Sequence, residues 1–423
     1  MKLLLIMSLI ITGSFSVQLK AQDFKYIDSV YVQNIRSVKF NPAGNPLLMP
    51  LIPISGGLGL ELSFDDLDNV AKDYNYTLIH CNADWTPTQN LSELEYLNGY
   101  THDVINTGQL SFNTLIPYLH YDLIIPNDNI SWKLSGNYLL KVTGPDNEKV
   151  VITRRFVVYE SLVDIIPRNV RTAKVEKDRT HQEFDFEVNF KETFIRNPRV
   201  ELSATAICNG RWDNAIYGLT PVFSRTKSVD FDYQDKIIFP AGKEFRFFDM
   251  RNVSYGGENI VDIKRVPDGY EAQLRPEKIN TDIAYLFRTD INGSFVIDCR
   301  DLDECDLRGD YVYVFFTLLS ETEIEDNDVY ITGAFNDWEL KPEHKMVYNI
   351  AKGRYEAEIL LKQGYYNYQF SLFNPKTKVR DDYELQGNWH ETENKFSIIL
   401  YYRPFGERYD RVISVNILDS RKY

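Results

Sequence analysis

Three times along this chain a β-rich run closes on Asn, one or two further residues, and then Trp. The runs are YNYTLIHCNADW, ending at Trp85; VELSATAICNGRWDN, containing Trp212; and DVYITGAFNDW, ending at Trp338. They are evenly placed: Cys81 to Cys208 is 127 positions, and Cys208 to Phe335 is again 127. The echo continues downstream. Another strand-like stretch follows each pivot: HYDLIIP from His120, KEFRFFDM from Lys243 and YYNYQFSLF from Tyr365. Closing strands come next: NYLLKVTGPDNEKVVITRRFVVYE for the first copy, GSFVIDC for the second, and KFSIILYYR with RVISVNIL for the third. Helical periodicity is absent beyond short stretches, and Gly, Pro, Asn and Asp punctuate short strands throughout. That pattern predicts β-sandwiches.

The expected fold is therefore all-β: tandem immunoglobulin-like sandwiches. A length of 423 residues suits about three domains of ~140 residues each. The 28 Tyr and 25 Phe favour strands over helices. The expected boundaries put a first sandwich at 22–160, a middle β-rich domain at 161–310 and a C-terminal sandwich at 311–423.

Residues 1–21 read as a secretory signal peptide. Lys2 precedes LLLIMSLIITGSF, an apolar run too short to span a bilayer, and cleavage is placed after Ala21. No Cys lies at the cleavage region, which argues against a lipoprotein. No later run is long enough for a transmembrane helix, so an exported protein is expected. The formal net charge of −14 repels nucleic acid and anionic headgroups. In an oxidising compartment four cysteines permit disulfides. Cys299 and Cys305, six positions apart in CRDLDEC, are the candidate pair; Cys81 and Cys208 follow apolar runs, as buried thiols do.

Catalytic signals are thin. The six His have no metal-ligand spacing, no Gly-x-Ser-x-Gly elbow is present, and ISGGLGLEL lacks the lysine of a phosphate loop. The acidic stretch DCRDLDECD lacks the glycine of a calcium loop and reads as solvated. His80 and Cys81 are neighbours on one strand and so point to opposite faces. No catalytic residue, metal site or cofactor is expected.

VYITGAFNDW followed by MVYN and GRYEAEILLKQGYYNYQF resembles the early-set immunoglobulin-like modules that bind glycogen and related glucans. In some of those modules the Trp stacks on sugar, which makes Trp338 the candidate binding residue of a carbohydrate-binding alternative. The second Trp typical of the sugar binders is missing from FSLFNPKTKVRDDY, and the bland reading of Trp338 is a core or turn anchor.

Over nearly its whole length the chain is similar to the plug protein family of the type IX secretion system of Bacteroidota. The stretches that carry the likeness include LIPISGGLGLELSFDDL, FNTLIPYLHYDLIIPND, NGRWDNAI, FPAGKEFRFFDMRN, DINGSFVID and TENKFSIILYYRPFGERYDRVISV. The resemblance implies a non-catalytic periplasmic protein. It would bind the periplasmic side of the giant outer-membrane β-barrel translocon and close the pore when idle, in a system that serves surface proteins, including those of gliding motility. It supplies no site residues to carry over. A compact domain of ~130 residues is roughly 35 to 40 Å wide, enough to stopper a pore that passes folded proteins. The Tyr-rich stretches LKQGYYNYQF and YYRPFGERYD are candidate contact surfaces, although Tyr on strands is more often packing.

Overall fold

The computed structural model describes residues 24–421 except 106–107, 146–148 and 282. The expected signal peptide, 1–21, lies outside the described residues. The described chain is built of antiparallel sheets with a few parallel pairings, and its helices are single turns.

In the first sandwich one sheet runs, in spatial order, Ser29–Val30, Val150–Tyr159, Gly136–Thr143, Tyr74–Cys81, Asp103–Ile105. It faces a second sheet of Ile35–Pro42, Leu60–Asp66, Leu119–Ile125 and Gln109–Leu110. Between them Leu62, Phe64, Leu78, Tyr138, Leu140 and Phe156 form a dry core. Phe64 stacks on Tyr121 with ring centroids 5.1 Å apart. The second sandwich sets Asp164–Val170, His181–Asn189, Ser228–Phe231 and Phe223–Ser224 against Ile216–Leu219, Leu202–Cys208, Lys395–Tyr402 and Arg411–Asp419. The third sets Arg246–Asp249, Gly364–Phe373 and Phe295–Ile297, with Asp328–Thr332 also on Gly364–Phe373, against a sheet centred on Gly269–Leu274, Tyr311–Leu319 and Arg354–Lys362.

The expected boundary at 310/311 does not divide these sheets. Lys395–Tyr402 pairs with Leu202–Cys208 from Leu202↔Tyr402 to Cys208↔Phe396, so the last two long strands complete the second sandwich. Conversely, Arg246–Asp249 and Phe295–Ile297 pair with Gly364–Phe373 and belong to the third. The third sandwich is thus an insertion within the second. GSFVIDC and the KFSIILYYR–RVISVNIL hairpin close the opposite copies from those the sequence order suggested. Pairing is decided by which apolar face each strand completes, not by proximity along the chain.

The long strands alternate between two apolar environments. Leu140 and Phe156 point into the first core, while Leu139 and Val157 point out of it into a cluster with Ile207, Ile399, Tyr401 and Val412 of the second sandwich. Leu139, Val157, Ile207 and Ile399 are all fully buried. Two sheets therefore pack face to face between sandwiches as well as within them. This is why these strands read as nearly continuous apolar runs. Tyr401 reaches across the seam and donates to Asn137 Oδ1 at 3.0 Å, which satisfies its buried hydroxyl.

The third sandwich meets the first through charge. Asp65, fully buried, accepts from Lys362 Nζ at 2.7 Å, from the Tyr311 hydroxyl at 2.7 Å and from His120 Nδ1 at 2.6 Å. Burial alone would push the Asp65 carboxyl up; Lys362 and His120 hold it below its usual range. Burial alone would lower His120, but its bonds to Asp122 and Asp65 outweigh it and raise the imidazole to about 9.

Candidate functional site

The three Asn-to-Trp turns converge on one junction. Each leaves the end of a strand and reverses through left-handed backbone, at Trp85 (φ 67°), Asn209 (φ 53°), and Asp337 with Trp338 (φ 56° and 60°). The motif Asn ties down each turn. Asn82 Nδ2 donates to Thr86 Oγ1 at 3.0 Å. Asn209 Nδ2 donates to Asn394 Oδ1 at 2.7 Å. Asn336 Nδ2 donates to the Ile331 carbonyl at 2.9 Å, while its Oδ1 accepts from Gly333 N.

Trp85 and Trp212 meet edge to face, with centroids 4.8 Å apart at 83°. The Arg155 guanidinium lies over both, 5.4 and 5.1 Å from their centroids, and is held by Asp28 at 2.9 Å. Such cation–π contacts strengthen when water is excluded. Trp338 comes in from the third sandwich. The Arg211 guanidinium sits 4.0 Å from its ring centroid, Phe245 packs at 5.7 Å, and Arg380 donates to its carbonyl at 2.6 Å. Gly293 gives the indole its room: a Cβ there would fall 2.4 Å from the ring. Arg211 is itself clamped by Asp382 at 2.5 Å and Asp213 at 2.6 Å. Burial would raise Asp382, but Arg211 and Arg380 hold it far below its ordinary range. Arg154 pairs with Asp337 at 3.2 Å. Around the indoles, ion pairs thus cross the first–third and second–third boundaries, the Arg155 cation–π contact with Trp212 crosses the first–second boundary, and the rims bound a cleft of about 890 Å³.

This arrangement decides what Trp338 can do. Only 9% of its surface is exposed, and a guanidinium occupies a face of the ring. A sugar platform needs an open indole face, and this residue offers none. Trp389 lies apart from this junction, with Tyr285 stacked on one face of its ring at 5.8 Å between centroids.

Cys299 and Cys305 are joined by a disulfide with Cα atoms 5.4 Å apart, closing the acidic loop. Cys81 and Cys208 are free and buried, and burial pushes both thiols up to about 12, which leaves them unreactive. His80 is packed edge-on against Tyr138, its Nδ1 2.9 Å from Thr88 Oγ1, and burial lowers it to about 4: a core histidine. Among the described residues no three His, Cys, Asp or Glu side chains gather as metal ligands. Nor is any described helix long and apolar enough to cross a membrane. Sequence reasoning singled out Trp338 but missed its convergence with Trp85 and Trp212, and it missed Arg155 and Arg211. The even spacing of the three turns was the available signal for the first.

The class of protein defined here is a chain of β-sandwiches locked together at a shared tryptophan–arginine junction. Residues 35–160 match the family described as type 9 secretion system plug protein 1st domain. The solved structure of a hypothetical protein from Parabacteroides merdae is 32% identical, covers 94% of this chain and all of its own, and superimposes with a TM-score of 0.88. The chain belongs to the type 9 secretion system plug protein family. The C-terminal domain of the Streptococcus pyogenes antigen I/II-family protein AspA also aligns, over 91% of this chain and 99% of its own, but at 9% identity and a TM-score of 0.17, too low to indicate a shared fold. Nothing among the curated proteins matches.

Proposed function

We propose that this protein is a non-enzymatic periplasmic plug. It binds the periplasmic side of the outer-membrane barrel of the type IX translocon and closes the pore when no cargo passes. The observation that carries this reading is the family match over residues 35–160. The construction of the molecule supports it. A stopper needs rigidity more than chemistry, and here two sandwiches share a dry apolar seam while the third is fixed to the first by a buried ionic cluster. Affinity for the barrel would come from a few aromatic and Arg anchors within a broad interface. The glucan-binding alternative loses its main support with the covered face of Trp338.

The test is affinity purification of the tagged protein from envelopes of its own organism, with mass spectrometry of what accompanies it. Recovery of one giant outer-membrane barrel in near-equal amount is expected. Repeated preparations without the barrel would refute the plug.

A further inference from the structure

A strand at the edge of a sheet leaves a row of backbone N–H and C=O groups unpaired, a template for another strand. Among the described residues four strands of seven or more residues lie at a sheet edge: Ile35–Pro42, Asp164–Val170, Ile260–Val266 and Arg411–Asp419. Three of them are covered. Ile35–Pro42 lies against the third sandwich, where Ser37 Oγ meets the Tyr311 hydroxyl at 2.8 Å and Lys39 Nζ donates to the Phe295 carbonyl at 2.6 Å. In Arg411–Asp419 the Val412 and Ile413 carbonyls accept from Glu160 N and Leu162 N. Asp164–Val170 contains Pro167, which has no N–H, and its Ile165 carbonyl accepts from Asn416 Nδ2 at 3.2 Å.

Ile260–Val266 has no such cover among the described residues. It pairs only with Gly269–Leu274, and Val261, Asp262, Lys264 and Arg265 are exposed. The chain turns back through Pro267 and Asp268, so that Val266 faces Gly269. In a two-residue hairpin that closing pair exchanges hydrogen bonds, and the pattern alternates from there. Lys264 therefore bonds to Glu271, and the N–H and C=O of Ile263 and Arg265 point out from the edge. Edges are commonly guarded by a bulge or by charge. The bulge here lies between Ile260 and Asp262 and leaves 263–266 regular.

We propose that Ile260–Val266 pairs antiparallel with the same strand of a second copy of this chain, about a two-fold axis at Ile263. The sequence IVDIKRV is complementary to itself in that register. The two Ile263 backbones exchange their outward hydrogen bonds. Asp262 of each copy comes opposite Lys264 of the other, and Ile260 opposite Val266. The Arg265 stem comes opposite Val261, which is 63% exposed. Opposite charges facing across strands stabilise a pair and like charges oppose it. The next registers either way set Lys264 against Lys264 or Asp262 against Asp262, so charge selects this one. Lys264 also reaches Glu271 of its own chain at 2.9 Å but keeps 60% of its side chain exposed, and Asp262 has no ion-pair partner among the described residues. The contact is isologous, and each copy covers the edge of the other.

The experiment is sedimentation velocity on the purified chain over a dilution series, without the barrel. A reversible monomer–dimer equilibrium is expected. Asp262→Lys and Lys264→Asp should each weaken the dimer by about tenfold or more, since like charges then face each other on both sides of the axis. An equimolar mixture of the two variants should dimerise again, because each meets the opposite charge in the other. Melting curves show that both fold. A benzoyl-phenylalanine at position 261, in the chain expressed in its own organism, should crosslink to a second copy. A chain that stays monomeric at every concentration, a dimer that neither substitution weakens, or a mixture that stays monomeric would overturn the proposal. So would a crosslink from position 261 to a different protein alone. The dimer does not rest on the plug reading, and its loss would leave that reading intact.

Discussion

The first sandwich meets its two neighbours by different physics. Against the second it presents Leu139 and Val157 to Ile207 and Ile399, all fully buried, with the Tyr401–Asn137 hydrogen bond as a polar tie. Against the third it presents Asp65, His120 and their partners Lys362 and Tyr311. The apolar seam is non-directional at its centre, with the Arg408–Glu95 and Arg411–Glu160 pairs at its edges. The ionic seam is directional: it fixes one arrangement, and it fails if Asp65 or Lys362 is removed, because a desolvated charge is left behind. The second and third sandwiches are one continuous piece of chain, since the third is inserted in the second. The ionic cluster, together with the Arg154–Asp337 and Arg211–Asp382 pairs at the tryptophan junction, sets the angle of the insertion.

The largest effect should come from breaking the ionic seam. Asp65→Ala strands Lys362, whose side chain is 1% exposed, and should cost about 3–5 kcal/mol. Denaturant unfolding should become biphasic, with the third sandwich released first; a single unshifted transition would show that the cluster does not hold the domains. In the apolar seam Leu139→Ala should cost about 2–4 kcal/mol with the transition still single, since the first and second sandwiches would loosen together. If the Leu139 loss instead varied strongly with pH, the contrast between the seams would be wrong.

Removing the Cys299–Cys305 disulfide should cost about 2 kcal/mol, because the loop it closes is short. Amide exchange should rise in the acidic loop and stay unchanged across either seam. A further effect is one of pH. His120 is held at about 9 in the folded chain against an ordinary value of 6.5. Its raised value stabilises the fold fully below about 6.5, and that contribution is lost as pH rises through about 9. Melting temperatures of wild type and His120→Gln, measured from pH 6 to pH 9.5, should therefore converge as pH rises. Curves that stay parallel would remove His120 from the ionic seam. Lys362 still holds Asp65 when His120 is neutral, so the wild-type loss should be smaller than that of Asp65→Ala.

Much of this was legible in the sequence. Apolar runs such as Leu139–Val142 and the punctuating turns gave the all-β class, and the equal spacing of Cys81, Cys208 and Phe335 marked three related turns. The pairing partners were not legible. A strand's side chains say that it is buried, not which sheet it completes, and both GSFVIDC and KFSIILYYR are apolar enough for either role. A cue was present, though. Lys395–Tyr402 with Arg411–Asp419 is a hairpin of two long strands, like Gly136–Thr143 with Val150–Tyr159, whereas Phe295–Ile297 is only a short strand. Likeness of hairpin length would have assigned the last two strands to the second copy. The junction itself was hidden because Arg155 and Arg211 belong to no motif; they matter through the indoles they cover, and those contacts exist only once the sandwiches dock.

The central claim is that this chain closes a pore. The most direct measurement is ion conductance of the purified translocon barrel in a planar bilayer, before and after the chain is added on its periplasmic side. The account predicts that open-channel current falls toward baseline at stoichiometric protein. A current unchanged by saturating protein, with the barrel shown to be open and the chain shown to be folded, would contradict it.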